Sequence, residues 1–157
     1  MKIKALQKTD LESMLALLKG IPLFTKDETE VVLELLDIYL NDNKNKDYLF
    51  FATEEDNKDL SSFICFGPTP MTDGTYDLYW IGTNQNYEKR ALAKQLVNHM
   101  IDYLKERNGR IIRVETASKD SYSGTKAFYE RINFKEEARI RDFYAVGDDL
   151  IMFTYRV

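Results

Sequence analysis

Three aromatic-rich runs in the middle of the chain constrain its fold more than any other feature. The runs Tyr48–Thr53, Leu60–Gly67 and Tyr76–Thr83 have the composition of β-strands. The polar segment Glu54–Lys58 separates the first two, and the pair Asp73-Gly74 lies in the second connection. Neither connection is long enough for the crossover that a parallel pair needs. The middle of the chain is therefore predicted to form an antiparallel sheet.

Helical and strand patterns follow one another on both sides of this sheet. Apolar residues recur every three or four positions in four segments, which predicts helices. The predicted helices cover residues 10–20, 27–40, 88–107 and 123–132, and the further strands cover 2–8, 111–116, 134–140 and 150–156. The resulting order, βααβββαβαββ, is that of an α/β domain with a mostly antiparallel sheet.

Composition narrows the class of protein. The 157 residues, 44% of them hydrophobic, suit one globular domain. One cysteine, Cys65, and one histidine, His99, exclude zinc sites with the usual Cys/His spacing, so no metal is expected. The net charge of −4 argues against a nucleic-acid partner. No apolar run is long enough to cross a membrane and the first residues lack the apolar stretch of a signal peptide, so we expect a cytoplasmic protein.

One strand-to-helix connection has the features of a phosphate site. A strand ending at Thr83 passes through a polar turn into a helix predicted to start near Glu88. Free amides and the positive end of the helix dipole attract phosphate groups at such a point. The side chains of Lys89, Arg90 and Lys94 add positive charge. An ordinary connection with solvated charges is the alternative interpretation.

This connection resembles the coenzyme A loop of the GNAT superfamily of acyl-CoA-dependent N-acetyltransferases. The family pattern, Arg/Gln-x-x-Gly-x-Gly/Ala, opens the third helix. The matching positions are Glu88, Lys89, Arg90, Ala91, Leu92 and Ala93, with Glu88 and Ala91 departing from the pattern. The resemblance implies that backbone amides up to Lys94 hold the pyrophosphate of acetyl-CoA. It also implies that Ile81, Gly82 and Thr83 hold the pantetheine arm.

A second motif, Phe128-Tyr129 followed by Asn133-Phe134, resembles the Phe-Tyr-x-x-x-Gly-Phe sequence that ends the fourth helix of this family. The resemblance implies that Tyr129 protonates the departing thiolate. Asn133 replaces glycine at a position that terminates a helix in a left-handed conformation, which asparagine tolerates. Tyr129 also lies on the apolar stripe of its helix, so a purely packing role is the alternative.

Several polar residues are candidates for binding or deprotonating the acceptor. Glu115 lies on a predicted strand from which it could take a proton from an amine, although a strand glutamate without a role is equally common. Asp77 and Tyr79 share one face of the neighbouring strand. The segment Asp142–Asp149, between the last two predicted strands, includes Asp142 and Tyr144 among its carboxylates and aromatic rings. Such groups suit an ammonium ion, or else form an ordinary solvated loop.

Together these features predict a single α/β (α+β) domain over residues 1–157. By resemblance it has a twisted, mostly antiparallel sheet of six or seven strands, splayed between strands four and five and flanked by about four helices. The implied activity is direct transfer of an acetyl group from acetyl-CoA to a primary amine of a small molecule. The alternative is a ligand-binding or interaction module of this fold that has lost acetyl-CoA binding and catalysis. A homodimer is left open.

Overall fold

The computed structural model describes residues 1–157, apart from the side chain of Lys89. Over these residues the chain forms one seven-stranded sheet and four α-helices. The strands are β1 (Lys2–Ala5), β2 (Leu49–Glu54), β3 (Leu60–Pro68), β4 (Thr75–Thr83), β5 (Ile111–Ala117), β6 (Lys135–Ala145) and β7 (Asp148–Arg156). The helices are α1 (Leu11–Lys19), α2 (Lys26–Asn41), α3 (Leu92–Lys105) and α4 (Ser123–Arg131). No helix of the described chain is long and apolar enough to cross a membrane.

The sheet is mostly antiparallel, as predicted. Its strand order is β1-β2-β3-β4-β5-β7-β6. The pair β4–β5 is parallel because α3 provides the crossover between them, and the other neighbouring pairs are antiparallel. The predicted fold class, the seven-stranded sheet and the four helices are therefore confirmed.

The parallel pair separates soon after it begins. β4 pairs with β5 only from Thr75 to Asp77, although β4 continues to Thr83. A register shift opposite β3 also leaves Tyr79 without a partner, because Trp80 pairs with Cys65 and Leu78 pairs with Phe66. A bulge of this kind bends the strand and disrupts the hydrogen-bond ladder. Beyond Asp77, the edge of β4 that faces β5 has no strand partner among the described residues.

The helices cover opposite faces of the sheet. Alternation along β3 directs Phe63 and Cys65 toward α1 and α2, and Ile64 and Phe66 toward α3 and α4. Each face thus has its own apolar core. We call the gap where β4 and β5 separate the splay. Side chains from both helical layers can meet in this gap.

Three boundaries differ from the prediction. The first strand ends at Ala5, and α3 begins at Leu92, after a 3-10 turn over Gln85–Arg90. The segment predicted as a loop between the last two strands is mostly strand, because β6 extends to Ala145 and β7 starts at Asp148. Side-chain hydrogen bonds join its two arms: Gly147 N donates to Asp142 Oδ1 at 2.7 Å, and Asp142 N donates to Asp149 Oδ1 at 3.0 Å.

Candidate functional site

Two cavities adjoin along β4, at the splay. The first, which we call the groove, has a volume of about 1130 Å³ and lies between β4, the start of α3, α4 and the connection between α1 and α2. The second, which we call the acidic pocket, has a volume of about 410 Å³ and lies between β4, β5 and the tip of the β6–β7 hairpin. Leu78, Tyr79 and Trp80 line the acidic pocket, and the next three residues of β4 line the groove.

The β4 wall of the groove consists of Ile81, Gly82 and Thr83. A Cβ atom added at Gly82 would lie 2.6 Å from Ile21 Cδ1 and 3.3 Å from the Phe24 ring. A side chain at residue 82 would therefore force Ile21 and Phe24 of the α1–α2 connection to shift, so glycine favours their close approach to β4.

The start of α3 leaves backbone donors free at the end of the groove. Ala91, the residue before the helix, is left-handed at φ 53° and has no side chain that can cap the helix. The first backbone hydrogen bond of α3 comes from Gln95 N to Ala91 O at 3.2 Å. The N–H groups of Leu92, Ala93 and Lys94 therefore have no intrahelical partner.

Charges of both signs surround these free amides. Lys94, Arg131 and Glu88 are among the lining residues of the groove. Arg90 does not line it in the described structure, because its guanidinium group is held by Glu55 at 2.7 Å. The donors and the two cations fit the pyrophosphate of a coenzyme A molecule, whereas Glu88 opposes it.

Tyr129 lies between the core and the groove. Its ring packs against Phe128, Phe134 and Phe153, with centroids 5.2, 5.3 and 5.9 Å away, and the residue also lines the groove. Burial raises the pKa of the Tyr129 hydroxyl above that of an ordinary tyrosine. The phenol therefore keeps its proton at neutral pH.

The C-terminal end of α4 has the backbone that its motif predicts. Asn133 is left-handed at φ 68°, and Phe134 N donates to Tyr129 O at 3.0 Å. This closing turn ends the helix and fixes the position of Phe134 against the Tyr129 ring.

The acidic pocket contains more carboxylates than cations. Its charged lining residues are Glu28, Asp77, Glu115, Asp148, Arg113 and Lys119. Aromatic side chains complete the walls: Tyr79, Trp80, Tyr122 and Tyr144. Four carboxylates against two cations, beside aromatic rings, favour a cationic ligand.

The carboxylates of this pocket differ in how far they are already neutralised. Asp77 is buried and accepts hydrogen bonds from Arg113 Nε and from Thr69 Oγ1, the latter at 2.8 Å. Glu115 is exposed, and its nearest cation is Arg113 Nη1 at 3.8 Å. Asp148 accepts the Ser118 and Lys119 amides through one oxygen, both at 3.1 Å. Glu115 is therefore the freest to interact with a ligand.

Burial and charge also act on Tyr79. Desolvation, followed by the negative charge of Asp77, raises the pKa of Tyr79 to about 12. Its hydroxyl therefore remains a neutral hydrogen-bonding group in the pocket at physiological pH.

The structure distributes the predicted residues between the two cavities. Residues in the groove are Ile81, Gly82, Thr83, Glu88, Ala91, Leu92, Ala93, Lys94 and Tyr129; those in the acidic pocket are Asp77, Tyr79, Glu115 and Tyr144. Asp142 is not part of either lining in the described structure, because its carboxylate holds the hairpin turn. The Lys89 side chain lies outside the described residues.

Several further lining residues of the acidic pocket were not predicted, among them Glu28, Arg113, Thr116 and Tyr122. Arg113 shares a strand face with Glu115, so alternation could have indicated it. Thr116 is buried, and its Oγ1 has no hydrogen-bond partner among the described residues. Glu28 and Tyr122 come from distant parts of the chain, and no local pattern indicates that they meet.

A splayed, mostly antiparallel sheet with an uncapped helix start beside the splay is the arrangement that the resemblance to N-acetyltransferases implies. The chain belongs to the Acetyltransferase (GNAT) family, whose family model matches residues 12–134. Enzymes of this fold use acetyl-CoA.

Three comparisons illustrate the relationship. A GNAT-family protein from Desulfovibrio desulfuricans superposes with a TM-score of 0.92 and 32% identity, covering 99% of this chain and 98% of that one. The [ribosomal protein bS18]-alanine N-acetyltransferase of Escherichia coli K12 is 26% identical over 106 residues, 68% of each chain. An aminoglycoside 6'-N-acetyltransferase in complex with coenzyme A has a TM-score of 0.76 at 17% identity, covering 99% and 97%. This last likeness shows the fold alone.

Proposed function

We propose that this acetyltransferase moves the acetyl group of acetyl-CoA to a primary amine of a small cationic molecule. The observation that carries the proposal is the pair of adjoining cavities along β4. One offers free amides and cations for a phosphate-bearing molecule, and the other offers carboxylates and aromatic rings for an amine. Transfer between two substrates requires them to meet, and the splay allows this.

The groove suits acetyl-CoA, which supplies the acetyl group as a thioester. The free amides of Leu92, Ala93 and Lys94 would hold its pyrophosphate, because they have no partner within α3. The unpaired edge of β4 along Ile81–Thr83 would bind the pantetheine arm as another strand would. The departures at Glu88 and Ala91 weaken this site without removing its donors.

Proton movement falls to one residue in each cavity. An acceptor amine arrives mostly as an ammonium ion and must lose a proton before its nitrogen can attack. Glu115, exposed in the acidic pocket, is the proposed base, acting directly or through water. Tyr129 is the proposed acid, because it lines the groove in which the thiolate would leave and its phenol, like that of an ordinary tyrosine, carries a proton at neutral pH.

The proposed acceptor site is the acidic pocket, with Asp77, Tyr79 and Tyr144 in its walls. Asp77 is neutralised by Arg113, so it shapes the pocket more than it binds charge. Asp148 replaces Asp142 as the proposed carboxylate of the hairpin segment, because Asp148 lines the pocket.

An acetylation screen tests the proposal. Thiol release from acetyl-CoA is measured with diamines, amino acids, aminoglycosides and a short peptide with an N-terminal alanine. We expect turnover with a cationic small molecule, and an increase in its KM in Asp148→Asn that is absent in Asp142→Asn. A preference for neutral or anionic acceptors, or equal effects of the two variants, would contradict the proposal.

A peptide N-terminus is the second candidate acceptor, because one relative is named as acetylating alanine of a ribosomal protein. Turnover of the peptide alone would favour it.

A cytoplasmic location belongs to the same proposal and agrees with a single free, buried Cys65. Homodimer formation stays a prediction, which light scattering can test.

A further inference from the structure

One hydrogen bond joins two parts of the chain that are 94 positions apart. The Tyr122 hydroxyl donates to Glu28 Oε1 at 2.8 Å. The other oxygen of this carboxylate, Oε2, accepts from Thr25 N at 2.8 Å and so belongs to the N-terminal capping box of α2. The helix cap therefore fixes the orientation in which Glu28 presents its second oxygen to Tyr122.

This hydrogen bond crosses from one layer of the fold to the other. Glu28 belongs to α2, whose apolar side packs on the face of the sheet that α1 also covers. Tyr122 directly precedes α4, which packs with α3 on the opposite face. The two residues meet because β4 and β5 diverge, so they span the splay itself.

The bridge also lies at the junction of the two cavities. Glu28 and Tyr122 line the acidic pocket. Phe24, four residues before Glu28, and Gly124, two residues after Tyr122, line the groove. Breaking the bridge would therefore free both walls of the pocket at the point nearest the groove.

The surroundings of Tyr122 strengthen the bridge. The ring is half-buried, and Lys119 Nζ lies 5.2 Å from its centroid. A hydrogen bond from a neutral phenol to a carboxylate is charge-assisted, and partial burial shields it from competition by water.

We infer that the Glu28–Tyr122 hydrogen bond is a clamp that holds the two walls of the acidic pocket together and makes both residues positioning residues for the acceptor. The inference that the occupant is an acceptor amine rests on the proposed function. The clamp itself does not, because it is a property of the free protein. Tyr122 retains its ring when the hydroxyl is removed, so Tyr122→Phe breaks the bridge and preserves most of the packing.

Tyr39→Phe is a matched control, because Tyr39 lies on α2, the helix that contains Glu28. The Tyr39 hydroxyl donates to Leu6 O at 3.1 Å, so this variant also loses a long-range hydroxyl hydrogen bond of α2. Tyr39 lines neither cavity in the described structure. An effect of Tyr122→Phe that arises only from lower stability would appear in this control as well.

Hydrogen exchange of backbone amides in the free protein tests the clamp. We expect exchange in segments 22–28 and 119–125 to be faster in Tyr122→Phe by about fivefold, the factor that corresponds to one hydrogen bond. The same segments should be unchanged in Tyr39→Phe. Unchanged exchange in Tyr122→Phe, or equal acceleration in both variants, would overturn the clamp.

Ligand titration tests the role in acceptor binding. Trp80, the single tryptophan of the chain, lines the acidic pocket, so its fluorescence reports binding of 1,4-diaminobutane. We expect Tyr122→Phe to raise the dissociation constant of the diamine by about fivefold and to leave that of coenzyme A within a factor of about two. An equal rise for both ligands, or no rise for the diamine, would overturn the positioning role.

The failure of the proposed function would look different. Wild-type protein that neither binds the diamine nor acetylates any amine would contradict the proposed acceptor, and the positioning role would fall with it. The exchange measurement would then decide the clamp alone.

Discussion

Tyr129 packs in the apolar core and also lines the groove. Its ring packs against three phenylalanines, which explains why it lies on the apolar stripe of α4. Its side chain nevertheless lines the groove, so the packing and catalytic interpretations of the sequence are compatible. The ring determines where the hydroxyl is held, and in the proposed mechanism the hydroxyl would provide the proton.

Replacing Tyr129 with phenylalanine separates these two roles. We expect Tyr129→Phe to lower kcat by about tenfold or more, equivalent to about 1.4 kcal/mol of transition-state stabilisation. The retained ring should leave the coenzyme A dissociation constant within a few-fold and thermal unfolding nearly unchanged. Steady-state kinetics measure the first effect. Wild-type kcat in this variant would assign Tyr129 to packing alone.

Ala91 has a backbone conformation that favours glycine. Its φ of 53° is left-handed, which costs an L-residue about 1–2 kcal/mol, partly offset because alanine restricts the unfolded chain more than glycine does. We expect Ala91→Gly to increase the free energy of unfolding by about 0.5 to 1 kcal/mol. It should also tighten coenzyme A binding by removing a Cβ from the groove.

Urea denaturation measures the stability effect at Ala91. The control is Ala16→Gly, at an exposed position in the middle of α1. This substitution should lower the free energy of unfolding by about 1 kcal/mol. A loss of stability in both variants would show that the left-handed conformation carries no cost at Ala91.

At the scale of elements, the start of α3 shows how distant contacts override local preference. Glu88, Lys89 and Arg90 are good helix formers, so the sequence predicts a helix there. Instead, Gln85 N donates to Gly20 O at 2.9 Å and Arg90 pairs with Glu55, contacts that hold this segment as a 3-10 turn. The central strands were predictable because their alternation and turn residues are local. A helix start fixed by residues far away in the chain is not.

The β6–β7 hairpin differs from its prediction for a related reason. The strand was predicted to end at Ile140, yet β6 continues through charged residues to Ala145 as an edge strand exposed on both faces. Such charges protect a sheet edge from pairing with other chains, so they are compatible with a strand. The lining of the acidic pocket was also only partly predictable from this segment. The hairpin brings Tyr144 into the pocket, whereas Asp142 lies outside it and accepts a hydrogen bond from the turn.

The negative charge beside the α3 N-terminus gives a prediction at this scale. We expect Glu88→Gln to tighten coenzyme A binding by about two- to fivefold, because a carboxylate that lines the groove repels the pyrophosphate. Glu34→Gln, an equal charge change on the exposed side of α2, should have no effect. Calorimetric titration measures both. Unchanged or weaker binding in Glu88→Gln would count against this position for the pyrophosphate.

At the scale of the whole molecule, charged groups on the sheet edge link stability to pH. Glu54 on β2 contacts Lys2, Lys4 and Lys58 at 3.1, 3.4 and 3.4 Å. Hydrogen bonding to Lys2, together with the other lysines, lowers the pKa of Glu54 from 4.5 to about 2. The unfolded chain therefore binds more protons than the native protein between these two values.

This difference predicts a loss of stability in acid. The contribution of Glu54 is complete above pH 4.5 and disappears as the pH falls toward about 2. In Glu54→Gln we expect a lower free energy of unfolding at neutral pH and a weaker dependence on pH across this window. Urea denaturation at a series of pH values measures both. Parallel pH profiles for the variant and the wild type would contradict the assigned pKa.

At the same scale, coenzyme A is proposed to bind in the groove beside the splay, through amides that α3 leaves free. Titration of the isotope-labelled wild-type protein with coenzyme A, followed by nuclear magnetic resonance of its backbone amides, tests this most directly. We predict saturation at micromolar concentration, with the largest shifts at Leu92–Lys94 and Ile81–Thr83. The absence of shifts at millimolar coenzyme A, or largest shifts in the acidic pocket, would contradict it.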